Sequence, residues 1–135
     1  MFDSPNVTDC YRRSETVVPQ QALAMVNSSL SLAQARRLAA ALAGELQTGS
    51  DSESLKRFTE AAFARILCRP PNGEELSTCL EFLAAQSQRL ANASTLAALV
   101  SSDYNPVKPA ADPLARAREN LVHVLLNHND FVTVR

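Results

Sequence analysis

The sequence predicts an all-α fold, an antiparallel bundle of four main helices with a short leading helix and an irregular N-terminal arm. Three observations carry that expectation. Apolar residues recur at three- and four-residue intervals in four successive stretches. Those stretches are separated by proline, glycine or short polar residues suited to starting and stopping helices. The apolar content comes mainly from Ala, Leu and Val, with only 3 glycines, no tryptophan and no alternating run of β-branched residues.

Residues 1–18 read as an ordered arm without regular structure. Pro19 suits the first turn of a helix, where its missing N–H costs nothing, and that short element runs to about Asn27. From about Leu30 to Gln47, residues Leu32, Ala35, Leu38, Ala39, Leu42 and Leu46 form one stripe. Gln34, Arg36, Arg37 and Glu45 are turned away from it, and Gly49-Ser50 closes the element. Ser50 and Glu53 have capping-box spacing, so the next helix starts there and runs from about Ser52 to Cys68. Its face is Leu55, Phe58, Ala62 and Ile66, widened by Phe63 and Leu67.

Pro70-Pro71 must end that helix, and Asn72 with Glu75 caps the one after it, from about Gly73 to Leu90. Leu76, Cys79, Leu80, Leu83 and Leu90 are expected inward. Residues 92–112 read as a long connection with a turn of helix near Thr95. Asp112-Pro113 opens the last helix, on which Leu114, Ala117, Leu121, Val122 and Leu125 recur to about Asn127, and Phe131 folds back on the bundle. Residues 1–135 thus read as a single helical domain.

Composition excludes several function classes. A formal charge of −1 provides no general attraction to nucleic acid or to an acidic membrane surface. The longest apolar candidate, Leu38 to Leu46, contains Gly44 and Glu45 and is far short of the ~20 residues a membrane span needs. The pair of helices from Leu55 to Leu90 resembles a helix-turn-helix in outline only. Its second helix opens with Glu74 and Glu75, adds Glu81, and would repel phosphates.

The 3 cysteines, Cys10, Cys68 and Cys79, are widely spaced and form no Cys-x-x-Cys pair. Cys68 and Cys79 flank a turn between helices; buried free thiols are the expectation, and a disulfide between them is the alternative. His123 and His128 are five apart, off the spacing that aligns two ligands on a helix, and no His-Glu-x-x-His accompanies them, so no metal site is expected. Cys10 with either histidine lacks any supporting context for nucleophilic chemistry. With Gly44, Gly49 and Gly73 scattered, there is no phosphate loop and no cofactor is expected.

Several blocks nevertheless carry a resemblance. Phe2-Asp3-Ser4-Pro5-Asn6 with Cys10 and Arg12-Arg13 comes first, followed by Thr16-Val17-Val18-Pro19-Gln20-Gln21-Ala22-Leu23 leading to Asn27. Then come Arg69-Pro70-Pro71 with Glu74-Glu75-Leu76, and Leu125-Leu126-Asn127-His128-Asn129-Asp130-Phe131. In this order they resemble the C-terminal part of a planctomycete-specific domain family of unknown function, over nearly the whole chain. That resemblance implies a piece of a larger, exported or periplasmic protein that also carries a cytochrome-c-like domain. It supplies no catalytic residue. The family domain extends upstream of the Phe2-Asp3 block, so the chain is expected to be a fragment.

The one binding candidate in the sequence is the arm. Arg12 and Arg13, close to a helix start, offer donors to a carboxylate or phosphate. Against this, either arginine pairs with Asp3, Asp9 or Glu15 while the Asx residues form turns. Two function classes follow. In the first, the chain is a noncatalytic module that packs against other domains of its parent or against a protein partner. In the second, it is a ligand-binding or enzyme-associated domain in which Arg12 and Arg13 hold an anionic sugar acid or phosphate.

Overall fold

A computed structural model of the chain describes residues 28–92 and 107–128. They form four helices: α1 (Ser29–Leu46), α2 (Ser52–Leu67), α3 (Gly73–Ala91) and α4 (Pro113–Leu126). Among the described residues there is no strand, and the all-α helical bundle is the fold. The arm of residues 1–18, the leading helix to Asn27, the turn near Thr95 and Phe131 lie outside the described residues.

Each helix starts on a residue whose side chain accepts an orphan backbone N–H. Ser28 takes Ser31 N–H at 3.4 Å, and Asp112 takes Ala115 N–H at 2.8 Å with Pro113 just inside the helix. Asn72 Oδ1 takes Glu75 N–H at 2.7 Å while Glu75 returns the bond to Asn72 N–H at 2.8 Å, the reciprocal cap expected from the sequence. At α2 the expectation needs correcting. The cap is Asp51 rather than Ser50, and it engages Ser54 twice, from the backbone N–H at 3.1 Å and the hydroxyl at 2.6 Å. A carboxylate one residue further on outcompetes the Ser50–Glu53 box, and two hydrogen bonds from Ser54 hold its pKa below the usual value.

Two of the four helices end on a residue in the left-handed region, Gln47 (φ 46°) after α1 and Cys68 (φ 55°) after α2. Gly49 was the expected stop after α1, yet the helix ends at Leu46. Thr48 N–H reaches back to Ala43 C=O at 3.2 Å and closes the last turn before the glycine. Gly49 is kept small for another reason: a Cβ there would stand 2.9 Å from Asp51 Oδ1, the oxygen that accepts the Ser54 hydroxyl.

All four helices contribute to one core. Phe58, Ala62, Leu83, Ala117 and Val122 are fully enclosed, with Ala35, Ala39, Leu42, Phe63, Ile66, Leu121 and Leu125 around them. α1 supplies mostly alanine to this core, and α2 supplies its two phenylalanines and Ile66, so a thin face meets a thick one and the layers interdigitate. α4 packs against each of the other three helices, most extensively α1 and α3, which lie on either side of it. Large aliphatic and aromatic side chains buried this way contribute ~1.5–3 kcal/mol each. Thr59 is enclosed without penalty because its hydroxyl donates to Leu55 C=O at 2.9 Å, one turn back.

Candidate functional site

The described residues hold one cleft in which charged groups from two helices converge. On α4, Arg116, Glu119, Asn120 and His123 recur at the spacing that places them on one face. On α1, Leu32, Ala35 and Arg36 do the same. The two rows bound a cavity of about 200 Å³, with Pro109 of the segment before α4 forming part of its wall. The small Ala35 at the seam leaves the room.

Arg36 anchors one side. Its guanidinium donates through Nη1 to Val107 C=O, and its Nε lies 3.9 Å from Glu119 Oε2, close enough for an ion pair but too far for a hydrogen bond. Glu119 in turn accepts Ala110 N–H through both carboxylate oxygens, at 3.1 and 3.3 Å. The 107–112 segment is therefore pinned to both helices by these two side chains, each of which is only about one-eighth to one-sixth exposed (12% and 15%). Asn120 points its amide toward Gln86 Oε1 of α3 at 3.4 Å. Arg116 has no hydrogen-bond or ion-pair partner for its side chain among the described residues.

Arg36 was expected on the outward face of α1; it is instead drawn into the α1–α4 seam, because Glu119 and the Val107 carbonyl provide partners there. His123 lines the cleft. Arg12, Arg13 and Cys10 lie outside the described residues. Cys68 and Cys79 are free thiols, and Cys68 is exposed rather than buried, since it occupies the left-handed position that ends α2. Cys79 is half-buried, and burial pushes its thiol pKa up.

Two other charged clusters hold the fold together. Arg69 grips Glu75 with two parallel bonds of 2.8 and 2.9 Å and lies 5.6 Å from the Phe63 ring centroid, which locks the Pro70-Pro71 turn onto the α3 cap. Those bonds, with the Asn72 N–H, hold the Glu75 carboxyl down at about 2. Arg118 is 6% exposed, donates to Gly49 C=O at 2.5 Å, and sits 5.3 Å from the Phe58 ring centroid. Its Nε has no partner among the described residues.

Sequence reasoning missed both Arg116 and Arg118. A signal for Arg118 existed: Leu114, Leu121, Val122 and Leu125 stand four before and three, four and seven after it, which places it inside the apolar stripe.

The fold and these contacts define a small helical-bundle domain stabilised by buried and capping arginines. The chain belongs to the PSD1 family, described as a protein of unknown function (DUF1553), whose model matches residues 1–83. That match covers α1, α2 and the first half of α3, ending at Leu83; the block from Leu125 to Phe131, which was read as part of the resemblance, falls beyond it. No curated protein and no solved structure matches the chain.

Proposed function

We propose that this chain is a noncatalytic helical packing module of a larger, exported multidomain protein of planctomycete type, seated against other domains of that parent. The observation that carries the reading is the apolar arc of α3. At 3.6 residues per turn, Phe82, Cys79, Leu90, Leu83, Leu76 and Leu80 cover roughly 160° of the helix, well over the ~100° stripe a surface helix needs. Only Leu83 is fully buried. Phe82, Cys79 and Leu90 pack partly on the core, whereas Leu76 and Leu80, one turn apart on the edge of the arc, stand outside it and remain half-exposed. A second helical surface packed along that edge would complete their burial.

Amide hydrogen exchange measured on α3 in the isolated chain and in the full parent polypeptide tests this. Exchange at residues 76–81 slowed at least ~10-fold in the parent is the expected result, corresponding to ~1.4 kcal/mol or more of added local protection. Equal exchange in both overturns the reading, as does a reading frame that encodes no further domain.

A further inference from the structure

We propose that the cleft between α1 and α4 is a binding site for a small carboxylate carrying a short aliphatic body, a monoanion of the butyrate class. The inference is independent of the packing role proposed for α3, which lies along a different edge of the bundle.

Charge selects the ligand class. The cleft is bounded by Arg36 and Arg116 against the single carboxylate of Glu119. Glu119 is already neutralised locally by Arg36 and has both oxygens turned to the Ala110 N–H. One positive charge is therefore left over, and it belongs to Arg116, whose side chain has no partner among the described residues. A guanidinium offers five N–H donors in a planar fork, and Arg36 commits one of them to Val107 C=O. Arg36 and Arg116 line the same cleft, and the planar fork of an uncommitted guanidinium is the side chain best suited to a carboxylate. A dianion would overcompensate a surplus of one.

Shape and lining select the body. A cavity of about 200 Å³ has room for a carboxylate and a chain of a few methylenes. Leu32, Ala35 and Pro109 form the apolar wall that such a chain would cover.

The test is a titration of the ¹⁵N-labelled full chain with sodium butyrate, at ionic strength held constant with sodium chloride and with pH fixed. Saturable shifts confined to amides of residues 32–36, 109–110 and 116–123 are expected, and Arg116→Gln should weaken the apparent affinity at least ~10-fold. Arg116 stands on the first turns of α4 outside the core, so the variant should keep the wild-type circular dichroism and melting temperature, which is checked alongside. An Arg12→Ala, Arg13→Ala variant should bind as wild type.

Shifts that grow linearly and match those with chloride overturn the proposal. So does saturation by inorganic phosphate with none by butyrate, which would assign a different anion. Binding that survives Arg116→Gln and disappears in the Arg12, Arg13 variant would place the anion on the N-terminal arm and equally overturn it.

Discussion

Replacing Arg118 with methionine removes a charge that the bundle encloses almost completely while keeping an unbranched side chain of similar reach. The wild-type guanidinium contributes a charge-assisted hydrogen bond to Gly49 C=O, worth ~1.5–3 kcal/mol. It also faces the Phe58 ring at 5.3 Å, worth ~0.5–2 kcal/mol. Against these stands the cost of holding a charge at 6% exposure with no carboxylate in contact among the described residues, several kcal/mol by itself. Burial pushes its pKa below the usual arginine value, and Asp112 opposes that only in part. The opposing terms nearly cancel, so Arg118→Met should change stability by no more than ~1 kcal/mol in either direction.

Arg118→Ala differs, because it also deletes the aliphatic stem that packs beside Phe58 and leaves a void; it should cost ~2–4 kcal/mol. Urea unfolding followed by circular dichroism reads both. With a slope of ~1–3 kcal/mol per molar, the alanine midpoint should fall by about 1 M or more while the methionine midpoint barely moves. Equal losses in the two variants would show that the charge itself, and not the stem, is what the core requires. An alanine variant within ~0.5 kcal/mol of wild type would show that the side chain is not buried at all.

Glu75→Gln keeps the reciprocal cap with Asn72 but loses the ionic grip on Arg69, and should cost ~0.5–1 kcal/mol at neutral pH. Glu75 is depressed from 4.5 to about 2 in the folded chain, so its stabilisation is present above 4.5 and is lost as pH falls from there toward 2; the wild-type and glutamine melting curves should converge over that window. Leu83→Ala, at a site with no exposure, should destabilise by ~2–5 kcal/mol in equilibrium unfolding. Alkylation mapped by mass spectrometry should modify the exposed Cys68 before the half-buried Cys79, whose raised pKa lowers its thiolate fraction; the opposite order would contradict the placement of α2's last turn.

The helices were legible because period and caps agree. Asn72 with Glu75, and Asp112 with Pro113, each mark a start that the structure places at the same residue. Where two cap-competent residues are adjacent, as with Ser50 and Asp51, local pattern alone cannot choose. The outcome depends on Ser54, which gives Asp51 two bonds. The C-terminal ends were legible to within a residue or two, though not their chemistry, since Gln47 and Cys68 take the left-handed conformation that glycine usually fills.

The cleft was not legible. Arg36 is amphipathic in pattern as well as in chemistry, and its direction is decided by Glu119, 83 positions away in the sequence and brought near only by packing. The row Arg116, Glu119, Asn120, His123 could have been read as a polar face, but nothing in one helix says which neighbour that face meets. The arm that drew attention in the sequence, with Arg12 and Arg13, belongs to the part of the family match that lies outside the described residues.

The bundle is held together by α4: it packs on the three other helices, forms one wall of the cleft and carries Arg118 into the core. Native-state hydrogen exchange tests that most directly. The amides of Leu121, Val122 and Leu125 should exchange as slowly as those of Ala62, Phe63 and Ile66 on α2, all opening only with global unfolding. Protection retained on α2 with rapid, unprotected exchange along α4 would contradict the account.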